Sequence, residues 1–330
     1  MHLSIVIPTF NREALLTRTI PALLNQQIDE WVTYEIIFVS NGSSDGSEIL
    51  LSQAVTDYPN KIRYFYIDPT GGPAAPRNKG ILEATGEVII ILDDDLLPDT
   101  DLVQGFANHH RQFPEQQEAC IGEAYVPTEL LDDPMSLFHA FPYGPIRNKT
   151  TLDYTYFWTC NISFKREFML NHGMFNDAFL YNEDIVCGHK LNQADMVLRF
   201  CQEARGEHLH QGGLEGLTDK GIYIGRWIWA TVEFLPEPKI IDRYGVLSSQ
   251  LPKSRYLKRL INRAGFALLN NPLTRATLRL LGAENQQRSK ASDLYYYLQF
   301  RSAILTGYSH ARKEAKQHGH SKEQLRLLTD

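Results

Sequence analysis

Three consecutive carboxylates, Asp93, Asp94 and Asp95, close the apolar run Val88-Ile89-Ile90-Ile91-Leu92. Adjacent negative charges repel, so a chain that holds them at a strand terminus needs a cation or many hydrogen-bond donors. A hard divalent ion, Mg²⁺ or Mn²⁺, held by one or two carboxylates and by substrate phosphates would meet that need. The competing reading is a solvated acidic turn capping the next helix, and the apolar strand in front favours the metal. Two further loops have a matching composition. Asn41-Gly42-Ser43-Ser44-Asp45-Gly46 can bring backbone N–H groups and an amide side chain close to a base or ribose, although the same residues serve ordinary turns. Gly71-Gly72-Pro73-Ala74-Ala75-Pro76-Arg77 is Gly-rich backbone leading into a helix, with Arg77 in its first turns, which suits a diphosphate or a sugar hydroxyl. Its bland alternative is a helix start with a solvated basic face.

The elements that must position these loops are legible upstream of each. Runs rich in β-branched residues at Leu3 to Ile7, Glu35 to Val39, Arg63 to Ile67 and Val88 to Leu92 predict four strands. Helically spaced apolar residues separate them, such as Leu15, Ile20, Leu23 and Leu24, with Pro21 expected to kink the first helix. This alternation implies an α/β domain with a Rossmann-like, mainly parallel sheet flanked by helices. In such sheets ligands sit beyond the carboxyl ends of the strands. Pro8-Thr9-Phe10-Asn11-Arg12, the loop at 40–46 and the Asp triplet therefore converge on one rim. From about 120 the pattern turns irregular and aromatic, with a strand predicted at Tyr156 to Phe164, a helix at Asn182 to Ala194 and a strand at Met196 to Cys201. Beyond about Pro236 it becomes helical and locally basic.

Taken together, Ser4-Ile5-Val6-Ile7-Pro8-Thr9-Phe10-Asn11-Arg12, the loop from Val39 to Gly46, Ala75-Pro76-Arg77-Asn78-Lys79-Gly80 and Ile91-Leu92-Asp93-Asp94-Asp95 resemble the inverting family 2 glycosyltransferases of the GT-A fold. The likeness continues through Cys160 to Phe164, Gly173-Met174-Phe175 and Asn182-Glu183-Asp184, about two thirds of the chain. It implies a GT-A domain over 1–236, with a nucleotide-sugar-binding half at 1–119 and an acceptor-side half at 120–236, and a helical C-terminal region at 237–330. It implies a metal-binding motif on Asp93 and Asp95, with Asp93 near the ribose and Asp95 on the ion. Pro8, Thr9, Asn11, Arg12, Asn41, Ser43, Arg77, Asp93 and Asp94 are the expected nucleotide-sugar contacts. The family's usual base-reading aspartate is replaced here by Asn41, a neutral amide that distinguishes UDP from other donors less sharply. The pair Glu183-Asp184 is expected to supply the general base, from Asp184. Some relatives place a histidine where His208 and His210 stand, as metal ligand or hydrogen-bond donor, against the plain reading of surface or packing residues.

The expected reaction is transfer from a nucleotide-sugar to a sugar or lipid-linked acceptor. Phosphate-backbone binding needs clustered positive potential, and a formal charge of -6 argues against nucleic acid as the main partner. Cys120, Cys160, Cys187 and Cys201 form no CxxC pair, so neither a zinc knuckle nor a disulfide framework is indicated and a cytosolic setting is expected. Trp158, Tyr181 and Trp227 are either acceptor-stacking or core residues. The basic stretch from Lys253 to Arg263 is read either as an amphipathic packing helix or as a peripheral contact with the cytosolic face of a membrane. Two other functions fit less well. A sugar-phosphate nucleotidyltransferase would need a long Gly-rich, basic loop after the first strand, and a catalytically inactive nucleotide-sugar-binding module has some support from Asn41 but the retained carboxylates count against it.

Overall fold

A computed structural model describes residues 1–134, 138, 140–209, 216–248, 251–284 and 288–317. The four predicted strands are present as β1 (His2–Thr9), β2 (Thr33–Asn41), β3 (Ile62–Ile67) and β4 (Val88–Leu92). Their side chains are buried on both faces in β1, β2 and β4, which is why they read as unbroken apolar runs. Helices α1 (Glu13–Leu24), α2 (Ser47–Asp57) and α3 (Ala74–Glu83) link them, so β3, β2, β1 and β4 form a parallel block. Pro21 lies within α1, where the helix continues to Leu24.

The chain then adds β5 (Leu96–Pro98), α4 (Leu102–Gln112), β6 (Glu118–Tyr125), β7 (Asn161–Lys165), α5 (Arg166–His172), α6 (Glu183–Gln193) and β8 (Val197–His208). The sheet becomes mixed, in the order β3-β2-β1-β4-β7-β6-β8-β5, because β7 runs antiparallel to both β4 and β6. Two predictions need correction here. The strand expected at 156–164 begins only at Asn161 and runs one residue further, as Asn161–Lys165. Tyr154–Tyr156 is a 3₁₀ turn, held by the Asp153 carboxylate accepting from Thr155 N at 3.0 Å. The strand expected to end at Cys201 runs on to His208, past a bulge where the β6 partners jump from Ile121↔Phe200 to Glu123↔Arg205.

The described chain forms two compact units. The first contains Met1–Pro127 and His139–Gln211, and the second contains Thr128–Phe138 and Gly212–Asp330. Sequence placed a change of character at 236, whereas the second unit already includes α7 (Leu217–Phe234). The reason is packing. Within this unit α7 lies against α11 (Lys290–Gln317) so closely that a Cβ at Gly225 would meet Ile304 O at 2.1 Å, and one at Gly307 would meet Ile222 O at 2.0 Å. Helices α8 (Pro238–Tyr244), α9 (Lys253–Leu269) and α10 (Pro272–Leu280) complete it, around a small core that includes Leu217, Leu278, Tyr295 and Leu298.

All four cysteines are buried free thiols. Cys120 and Cys201 lie beside the buried His109 of α4. Burial pushes the His109 pKa down to about 4, and nearby Arg199 and Lys165 reinforce the shift. The neighbouring His110 is lowered well below its usual value for the same first reason. An unfolded histidine titrates near 6.5, so between about pH 6.5 and 4 the unfolded chain binds more protons and stability falls with falling pH. For His109 alone the loss is on the order of 3 kcal/mol by the bottom of that window. Urea unfolding of His109→Gln at about pH 7 and about pH 5 should show a smaller difference than the unmodified chain. An unchanged difference would mean that His109 is not what senses acid.

Candidate active site

The three carboxylates after β4 point in different directions, and each meets a partner from a different part of the chain. The Asp93 carboxylate accepts from Arg77 Nη2 at 3.0 Å. The Asp94 carboxylate accepts from Arg12 Nε at 3.1 Å and from Phe10 N at 3.3 Å. The Asp95 carboxylate lies 3.5 Å from His208 Nε2, at the end of β8, while Asp95 O accepts from Leu209 N at 2.8 Å. Burial pushes the Asp94 carboxyl up to about 7 despite the guanidinium beside it. Burial also raises Asp93, with Arg77 opposing the shift and Asp95 adding to it.

Above these residues is a cleft of about 410 Å³ whose walls include Pro8, Thr9, Arg12, Asn41, Arg77 and Asp93 to Asp95. It joins the loops after β1, β2 and β4, as expected for a sheet whose strands end at one rim. The loops are tied to one another. Asn11 N donates to Ser43 Oγ at 3.0 Å, Ser44 N to Asn11 Oδ1 at 2.7 Å, and Arg12 N to Ser47 Oγ at 2.8 Å. Glu13 N donates to the Asp45 carboxylate and Gly46 N to the Glu13 carboxylate. Asn11 adopts a left-handed φ of 54° to do this, a conformation that asparagine tolerates better than most residues.

Asn41 was expected to face a base. Its Oδ1 instead accepts from Thr70 N and Thr70 Oγ1, both at 3.0 Å, and its Nδ2 donates to Gly72 O at 3.1 Å. An aspartate could not make that last donation, which gives the departure from the usual residue a physical role. Gly42 sits at φ 78° with Pro69 filling the place where a Cβ would be, 2.3 Å away, so the loops after β2 and β3 are pressed together.

Arg77, expected to suit a diphosphate or a sugar hydroxyl, lines the cleft with a side chain that is buried and bridges Glu183 and Asp93. Its guanidinium lies over the Phe175 ring at 5.7 Å. Burial opposes the charge, yet Glu183, Asp93 and Asp184 hold it in place and raise the pKa. Glu183, named with Asp184 as a catalytic candidate, is the buried partner of this clamp. Asp184 is half-buried one residue along, with its Oδ1 accepting from Ile185 N at 2.7 Å. The thiol of Cys160 is raised first by burial and then by Asp93, with Asp184 and Asp95 adding to it, so these carboxylates share one neighbourhood.

Trp158 is buried among Phe141, Tyr143 and Tyr156, with ring centres 5.1 to 5.8 Å away, and so belongs to the core. Phe141, which sequence reading missed, stands 5.8 Å from the His208 ring. Thr70 was also missed, and Phe175 was named only within a matching stretch and given no role, because neither residue type advertises chemistry. Tyr181 is half-buried, and Trp227 lies on α7 in the second unit. His210 lies outside the described residues.

The sequence model of glycosyl transferase family 2 matches residues 4–175, more than half of the chain. The chain belongs to glycosyl transferase family 2. Similar proteins include the poly(ribitol-phosphate) β-glucosyltransferase of Bacillus spizizenii, 40% identical over 95 residues, which are 29% of this chain and 15% of that protein. The chondroitin synthase of Pasteurella multocida is 25% identical over 256 residues, 66% of this chain and 26% of that protein. The chain therefore spans only a minor part of these two relatives. Among solved structures, the mannosyltransferase PcManGT from Pyrobaculum calidifontis, in complex with GDP-Man and Mn²⁺, superposes with a TM-score of 0.61 at 14% identity, covering 93% of this chain and 86% of that one. S. aureus TarS 1–349 in complex with UDP gives 0.51 at 16%, covering 97% and 92%. The fold of this family 2 member is the GT-A type.

The Arg77 clamp gives a direct test. Arg77→Met leaves the buried Glu183 and the half-buried Asp93 without their cation, which should cost about 3 kcal/mol or more of unfolding free energy, chiefly through Glu183. Arg77→Lys should recover part of it, since an ammonium cannot fork to both carboxylates. Chemical denaturation that finds the methionine variant as stable as the unmodified chain would show that the clamp carries no stability.

Proposed function

We propose that this chain is a metal-dependent, inverting glycosyltransferase that moves a sugar from a nucleotide-sugar, a UDP-sugar in the first instance, to a hydroxyl of a glycan, glycolipid or polysaccharide acceptor. The observation that carries this reading is the divergent carboxylate triplet at the floor of a cleft walled by the loops of a parallel sheet. GDP-Man and UDP in the two structural neighbours support a nucleoside diphosphate as the occupant of that cleft. Mn²⁺ in the first supports a divalent cation.

The residues present fit such an ion. Asp93 and Asp94 each bond a guanidinium, whereas Asp95 faces the imidazole of His208. Asp95, Asp93 and His208 would hold the ion, and a mixed carboxylate and imidazole set suits a first-row ion such as Mn²⁺ better than Mg²⁺, which prefers oxygen alone. When bound, its chemistry is to offset the negative charge that grows on the departing diphosphate.

The remaining roles fall to the chain itself. Asp184 is the general base, since a sugar hydroxyl is a poor nucleophile until a positioned carboxylate takes its proton. Glu183 positions it, because its bond to Arg77 anchors the first turn of α6 beside Asp93. With base and leaving group on opposite faces of the sugar ring, a single displacement inverts the anomeric configuration. Asn11, Arg12 and Ser43 hold the loops that Pro8, Thr9 and Asn41 present to the nucleotide. With Oδ1 of Asn41 engaged twice, reading of the base depends on its other amide N–H and on the cleft walls.

Two substitutions separate these roles. Asp184→Asn should lower turnover by about 10²- to 10⁴-fold while UDP in the presence of Mn²⁺ still raises the melting temperature. Asp95→Asn should remove the Mn²⁺-dependent part of that thermal shift. The reading fails if folded protein neither binds nor turns over any member of a broad donor panel, or if Asp184→Asn is fully active.

A further inference from the structure

Helix α9 is amphipathic but inside out. Its half-buried positions are Arg259, Arg263 and Phe266, spaced 4 and 3 residues apart, and Phe266 packs on the small core of the second unit. That spacing defines the face turned toward the protein. The apolar arc lies elsewhere on the helix. Leu257 is 58% exposed, Leu260 46%, Ile261 63% and Leu268 78%. The following helix α10 repeats the arrangement, burying Leu278 while Leu273 is 78% and Leu280 88% exposed. Single exposed leucines are ordinary, but outward apolar stripes on two successive helices expect a partner.

Charge selects that partner. From Lys253 to Ala283 the sequence has seven basic residues, Lys253, Arg255, Lys258, Arg259, Arg263, Arg275 and Arg279, and no acidic one, in a chain whose net charge is -6. Asp242 bonds Arg255 and Arg259, and Glu284 bonds Arg279, while Lys253 and Lys258 stand exposed beside the apolar arc. A second copy of the chain would bring basic surface against basic surface across a two-fold axis, which is unfavourable. An anionic lipid surface offers acyl chains to the leucines and negative headgroups to the flanking cations. Among the described residues no helix is long and apolar enough to cross a membrane, so the contact is one that lies on the surface.

We infer that α9 and α10 form a membrane-docking face, lying in the headgroup region of an anionic bilayer with Leu257, Leu260, Ile261, Leu268, Leu273 and Leu280 toward the acyl chains. The inference is independent of the donor site, because lipid partition needs no nucleotide-sugar. The experiment is co-sedimentation of the full chain with vesicles of phosphatidylcholine alone and of phosphatidylcholine mixed with phosphatidylglycerol, without donor or metal. Binding should occur to the mixed vesicles, weaken with salt and fall by about tenfold or more in a Leu260→Asp/Leu268→Asp variant, as expected when apolar anchors of an interfacial helix are lost. Both positions are exposed, so circular dichroism and melting of the variant should match the unmodified chain. A Lys253→Glu/Lys258→Glu variant should lose the preference for anionic lipid. The inference is overturned if the unmodified chain ignores anionic vesicles, if the leucine variant binds them undiminished, or if sedimentation shows a dimer that the leucine variant abolishes, which would assign the face to a second copy.

Discussion

Mutual repulsion of three consecutive carboxylates is the constraint around which the first unit is arranged. The chain resolves it by divergence, turning Asp93 to Arg77, Asp94 to Arg12 and Asp95 to His208. Those partners come from α3, from the residue before α1 and from the end of β8, so the triplet is stable only when three remote parts of the chain have reached the same rim. A polar network of this kind stabilises when every member is satisfied and destabilises when one is missing. The interlocked loops after β1 and β2 follow from the same need, since Arg12 must be held where Asp94 can reach it.

The bond between Arg77 and Glu183 spans 106 residues of sequence. It makes the parallel block and the later part of the sheet interdependent, because a buried guanidinium cannot be left with half its partners. The same bond fixes the start of α6, and with it the position of Asp184. Function in this reading rests on the Arg77–Glu183 bond as well as on the carboxylates that line the cleft.

Much of the parallel block was legible because its strands are buried on both faces and so read as continuous apolar runs. The triplet, the loop at 40–46 and the segment at 71–80 were legible because Asp, Asn, Ser and Gly in that density have few uses. What sequence did not give was direction. Nothing in the string Asp93-Asp94-Asp95 says that the middle carboxylate turns away toward Arg12, or that Arg77 points inward. The second half of β8 was missed because Gln202, Glu203, Arg205 and Glu207 interrupt the apolar pattern, and the 156–160 segment was misread because aromatic residues suit a packed turn as well as a strand. In α9 the apolar period was correctly seen, but periodicity does not say which way a stripe faces.

The bulge between β6 and β8 acts as a length gauge. From Ile121 to Glu123 the first strand advances by two residues, while its partner advances by five, from Phe200 to Arg205. The three extra residues are an odd number, so the alternation of side-chain faces is reversed beyond them. His208 meets Asp95 only because of that reversal. Loss or gain of a single codon between Phe200 and Arg205 would leave hydrophobicity, charge and strand propensity almost untouched and still turn the imidazole to the other side of the sheet. Parity of length, more than residue identity, sets the side of the sheet on which His208 stands.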